Sequence, residues 1–75
     1  MSESKAANVG ERVHHTLAIN ERTVSWLART AGFSYTTLLR RLADPGTFQM
    51  NELERVATAL NVDPAWLQTG LEVAA

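Results

Sequence analysis

Residues 23–42 read TVSWLARTAGFSYTTLLRRL, and the fold follows from this stretch. Thr23 is a preferred N-cap type, and it precedes Val24, Leu27, Ala28 and Ala31 at i, i+3, i+4 and i+7. Gly32 follows at the position where helices commonly end in a left-handed residue. Ser34 then caps a second helix, whose Leu38 and Leu42 share an inward face. Phe33, between the two, is the apolar residue that plugs the gap. Two helices joined by a tight, Gly-containing turn make a helix-turn-helix. The second helix is polar at its start (Thr36, Thr37) and basic toward its end (Arg40, Arg41), which suits entry into a DNA major groove.

Outward from this centre the chain reads as helices throughout. Asn8 caps a first helix, with Glu11 three residues on as a capping-box-like partner, and Val9, Val13 and Leu17 form its apolar stripe. Asn20 to Arg22 break that pattern. On the other side, Asp44-Pro45-Gly46 is a stop and turn signal. A fourth helix is expected from about Met50 to Leu60, with Leu53, Val56, Ala57 and Leu60 inward and Asn61 in the left-handed terminal position. Asp63-Pro64 opens a short fifth helix, which Gly70 ends. The expected fold is all-α, a compact five-helix bundle with a central helix-turn-helix. Residues 8–70 form the domain, 1–7 a disordered N-terminal tail and 71–75 a short C-terminal tail.

Composition narrows the options. Seventy-five residues make one domain, small enough to bury only about 60% of its unfolded surface, so its stability is expected to be marginal unless it pairs. The chain has no Cys, which removes disulfides and thiolate metal sites. It shows no signal-peptide pattern and no apolar run near the roughly 18 residues that span a membrane, so a soluble cytoplasmic protein is expected. The net charge is −1, but its distribution is uneven. Residues 22–43 carry Arg22, Arg29, Arg40 and Arg41 and no acid, while the remainder sets three basic residues against eight acids. Such separation focuses positive potential on one face. His14 and His15 are adjacent and do not face each other, so no metal site is expected, and no cofactor. No nucleophile–base arrangement, carboxylate pair or Gly-rich phosphate loop appears, so the chain is not expected to be an enzyme.

The middle of the chain resembles the Cro and lambda-type repressor helix-turn-helix family, over about residues 8–69. The matching features are Gly10-Glu11-Arg12-Val13, Leu27-Ala28, Gly32, Phe33-Ser34, Leu38, and the later block MNELERVATALNV with Leu53, Ala57, Leu60 and Val62. Three features depart from the family. Val24 stands where many members carry a phosphate-binding Gln. Leu42 stands where members carry a Glu that pairs with the first-helix Arg, so Arg12 is left to find another acid, such as Asp44 or Glu52, or to stay solvated. Gln49, not Ser or Thr, precedes the fourth helix.

The resemblance places Tyr35 and Thr36 at base-reading positions. Thr36 can bond a base edge or offer its methyl to thymine, and Tyr35 can do either or bind a phosphate. Arg40 lies at i+4 from Thr36 and suits bidentate reading of guanine. Arg22, Thr23, Arg29, Ser34, Thr37 and Arg41 are the candidate phosphate contacts, with the Arg41 stem able to pack on the core while its head snorkels. Trp26 lies beside the buried stripe, and Trp66 precedes the inward Leu67. Trp66, Leu71 and Val73 are the candidate dimer interface. The implied function is a small phage-type repressor or Cro-like regulator that occupies a pseudo-palindromic double-stranded DNA operator as a homodimer. The alternative is a protein-interaction module of the same fold, an antirepressor or antitoxin-type subunit that binds another regulator.

Overall fold

Each helix starts and stops where its terminal residues satisfy the backbone. The computed structural model describes residues 8–70 and contains five α-helices among them: α1 (Val9–Ile19), α2 (Val24–Ala31), α3 (Tyr35–Ala43), α4 (Met50–Leu60) and α5 (Pro64–Thr69). A single 3-10 turn, Pro45–Thr47, follows α3 at the Asp-Pro-Gly signal. Side-chain oxygens of Asn8, Thr23, Ser34 and Asp63 accept the orphan N–H groups of Glu11, Trp26, Thr37 and Ala65. Gly32, Asn61 and Gly70 take the left-handed conformation at the ends of α2, α4 and α5.

Two termini differ from the sequence expectation. Glu11 does not return a bond to the Asn8 N–H, so the expected pair at α1 is half formed. The reciprocal contact occurs instead at α4, where the Glu52 carboxylate accepts the Gln49 N–H at 2.9 Å. This bond holds the N–H of the cap residue itself and forms one arm of a capping box with Gln49. The end of α1 turns through Glu21 at φ 56°, a left-handed residue with a full side chain.

The inward stripes meet in one core. Val13, Leu27, Leu38, Val56 and Leu67, from all five helices, are its largest fully buried side chains. The helices pack in a closed cycle, α1 on α3, α3 on α2, α2 on α4, α4 on α5 and α5 back on α1. At the first joint, Gly10 brings α1 against the end of α3, and a Cβ there would overlap the Leu42 carbonyl oxygen. At the turn between α2 and α3, the N–H groups of Gly32 and Phe33 both donate to the Ala28 carbonyl. Phe33 is half-buried and meets Phe48 edge-on, with ring centroids 6.5 Å apart.

Arg12 corrects the sequence reading most sharply. It neither pairs with Asp44 or Glu52 nor stays solvated. It is 3% exposed, and its guanidinium donates to the carbonyls of Leu67 at 2.8 Å and Gln68 at 2.9 Å. It therefore caps the C-terminus of α5, where a cation also complements the helix dipole. Burial lowers its pKa from the ordinary value. A guanidinium nevertheless keeps its charge in a protein.

Candidate nucleic-acid interface

The turn between α2 and α3 is held by an arginine from a third helix. Arg55 of α4 donates to the carbonyls of Ala31 at 3.0 Å and Gly32 at 2.8 Å, and its guanidinium lies 4.3 Å from the centroid of the Phe33 ring. This one side chain neutralises the last carbonyls of α2 and fixes the start of α3 relative to α4. Nothing in the local sequence marks it, because its partners lie 23 and 24 residues away.

The third helix directs Leu38 and Leu42 into the core and leaves its opposite side open. Tyr35 is 50% exposed and Leu39 40%, while Thr36, Arg40 and Ala43 are exposed. Thr36 and Arg40, at i and i+4, share one solvent-facing row, and the exposed Tyr35 stands beside it at the start of the helix. Thr37 is half-buried at its edge. Thr23 and Ser34 both serve as caps, each accepting through its hydroxyl oxygen. Their hydroxyl protons are not used in capping, so each can still donate to an anion. The N–H groups of Val24, Ser25, Tyr35 and Thr36 precede the first helical bonds and point the same way along their axes.

The arginines divide into two sets. Arg12, Arg41 and Arg55 hold helices together. Arg41 forms a two-pronged contact with Glu52, at 3.1 Å and 3.3 Å. Its head therefore binds a carboxylate at the start of α4. The Glu52 carboxyl is held below its ordinary pKa, first by the Gln49 N–H and then by the Arg41 hydrogen bond, against an opposing effect of burial. The second set lies on the outside. Arg29 and Arg40 are exposed and make no hydrogen bond or ion pair among the described residues. The Arg22 guanidinium lies 4.9 Å from the centroid of the Trp26 ring. Arg22, Arg29 and Arg40 are thus the arginines in the acid-free segment that are not committed to a carboxylate, while Arg41 is partly neutralised.

The tryptophans are less exposed than free contact residues. Trp26 and Trp66 are both half-buried and pack against the edge of the core. Leu71 and Val73, the other candidate dimer residues, lie outside the described residues, as do the two tails. His14 and His15 are exposed on α1, and no group of three metal-binding side chains converges among the described residues. No helix among them is long and apolar enough to cross a membrane.

Fold and surface together define an all-α five-helix domain built around a helix-turn-helix, with the outer side of α3 open. Comparison with known proteins adds no relative: the chain matches no protein-family model, no curated protein and no solved structure.

Proposed function

We infer that this chain is a sequence-specific double-stranded DNA-binding regulator of the Cro and lambda-repressor kind, acting by operator occupancy. The observation that carries the reading is the open face of α3, with Tyr35, Thr36 and Arg40 together on it. Arg40 is on that face, and the segment from residue 22 to residue 43 also holds the uncommitted Arg22 and Arg29 and no acid. In this reading α3 enters the major groove, Arg40 takes the O6/N7 edge of a guanine, and Thr36 and Tyr35 read the neighbouring bases. Arg22, Arg29 and the capping hydroxyls of Thr23 and Ser34 hold phosphates and set the register. Thr37 and Arg41 lie on the flank of α3, where Arg41 reaches a phosphate only by loosening its contact with Glu52.

One module of this size makes few contacts. Two copies on a pseudo-palindrome, with half-sites about 34 Å apart, supply the rest of the affinity. The exposed edge of Trp66 and the C-terminal tail are the proposed self-association surface.

The test is selection of bound duplexes from random DNA, followed by titration at several salt concentrations. A selected site, bound more tightly than random duplex and with a negative salt slope, is expected. Arg40→Ala should weaken binding to that site by about 1–3 kcal/mol and relax the preference at one base pair. Arg29→Ala should weaken all duplexes evenly and reduce the salt slope by about one unit. Failure to retain any duplex at low salt would overturn the reading and favour a protein ligand for the same face.

A further inference from the structure

The exposed side of α3 carries a row of which the recognition scheme above uses only Tyr35. Tyr35, Leu39 and Ala43 follow one another at i, i+4 and i+8, beside the polar row of Thr36 and Arg40. A single exposed leucine needs no explanation. Here, however, the exposed large hydrophobics among the described residues are Ile19, Tyr35, Leu39 and Met50. Ile19 and Met50 stand at the last and first positions of their helices. Tyr35 and Leu39 lie one turn apart on the same helix, so α3 alone presents a continuous apolar strip to solvent. Its neighbour on the same helix is Arg40, exposed and bound to no carboxylate among the described residues, and a cation beside an apolar strip suits an occupant that offers both acceptors and apolar groups. The major groove has this combination, because each thymine projects its C5-methyl beside the acceptor edges of adjacent purines.

We propose that Leu39 is a specificity-determining residue of this face and that it covers the C5-methyl group of a thymine next to the base pair taken by Arg40. The proposal rests on the DNA reading and extends it. A helix with apolar and cationic rows side by side distinguishes a thymine-guanine step from its neighbours by methyl contact on one row and bidentate hydrogen bonding on the other. Ala43 and the Tyr35 ring flank Leu39 and exclude water from the methyl.

The experiment removes the methyl from the DNA and its partner from the protein. Within the selected duplex, each thymine is replaced singly by uracil, which keeps the pairing and the O4 acceptor and deletes only the methyl. The parent protein is expected to lose about three- to fivefold in affinity at one thymine, the size of effect one buried methyl carries. Leu39→Ala should bind the thymine duplex more weakly and bind the thymine and uracil duplexes equally, so that the two changes are not additive. Leu39→Gln should also lose the methyl preference. Leu39 is 40% exposed, so both variants should keep the parent circular dichroism at the binding temperature, with only a modest fall in melting temperature. Equal binding of every uracil duplex by the parent overturns the proposal while leaving the DNA reading intact. So does a Leu39→Ala protein that still prefers thymine by the parent ratio. A parent that binds no duplex at low salt overturns both, and the apolar strip then belongs to a protein contact.

Discussion

Replacing Arg12 by Met tests whether a buried cation holds the bundle closed. Met keeps an apolar stem of similar reach and deletes the guanidinium. The two hydrogen bonds to the Leu67 and Gln68 carbonyls are short, at 2.8 and 2.9 Å, and one is fully buried. Hydrogen bonds to a charged group contribute about 1.5–3 kcal/mol each. Removing the buried charge recovers part of its desolvation cost. The expected net loss is about 2–4 kcal/mol. A domain of 75 residues has a total stability of about 4–11 kcal/mol, so this is a large fraction. At about 4–8 °C per kcal/mol for this size, the melting temperature should fall by roughly 8–30 °C. Urea unfolding followed by circular dichroism measures the loss, and an unchanged m-value confirms that the unfolded state is unaffected. Arg12→Lys should recover little, because a point charge cannot span two carbonyls as a guanidinium does. A Met variant that melts within about 2 °C of the parent would refute the reasoning and remove Arg12 from the joint between α1 and α5.

Three further predictions follow from the backbone and from Glu52. Gly10→Ala should cost about 1–3 kcal/mol, because its Cβ would overlap the Leu42 carbonyl, whereas Gly46→Ala, which meets nothing closer than Asp44 Oδ1 at 3.9 Å, should be close to neutral; thermal melts of the pair decide it. Glu21→Gly should raise stability by about 0.5–1 kcal/mol by relieving a left-handed side-chain residue at φ 56°, a gain that a shift in the urea midpoint would register. Glu52 has a folded pKa below its unfolded value, so its stabilising effect is fully present above the ordinary glutamate value of about 4.3 and is lost as pH falls through the lower folded value. Parent and Glu52→Gln should therefore differ in urea midpoint at neutral pH and converge in acid; a constant difference would show that ionisation of Glu52 does not contribute.

Much of the fold is legible in the sequence because it is set by local chemistry. Ser34 and Thr23 cap, Gly32 turns left-handed, and Leu38 and Leu42 share a face, each for reasons contained within a few residues. The same locality exposes Tyr35, Thr36 and Arg40 together. What the sequence does not reveal is long-range. Arg55 gives no sign that it will cap a helix 23 residues earlier, and Arg41 none that it will bind Glu52. Arg12 did leave a signal. Val9, Arg12, Val13, Thr16 and Leu17 follow a buried-face rhythm, so Arg12 was phased inward from the start. Neither Asp44 nor Glu52 meets it; the carbonyl oxygens of Leu67 and Gln68 do. Glu21 escapes notice because Glu is an unusual residue at a left-handed position.

The cyclic order of the helices bears on how the molecule is made. Arg12 and its carbonyl partners are 55 and 56 residues apart, so the ring of packed helices is joined only when the last helix meets the first. During synthesis the N-terminal end emerges long before Leu67, and until then α1 has α3 but not α5 to pack against. The complete cycle must then wait for α5 to emerge, and the joint between α1 and α5 forms late.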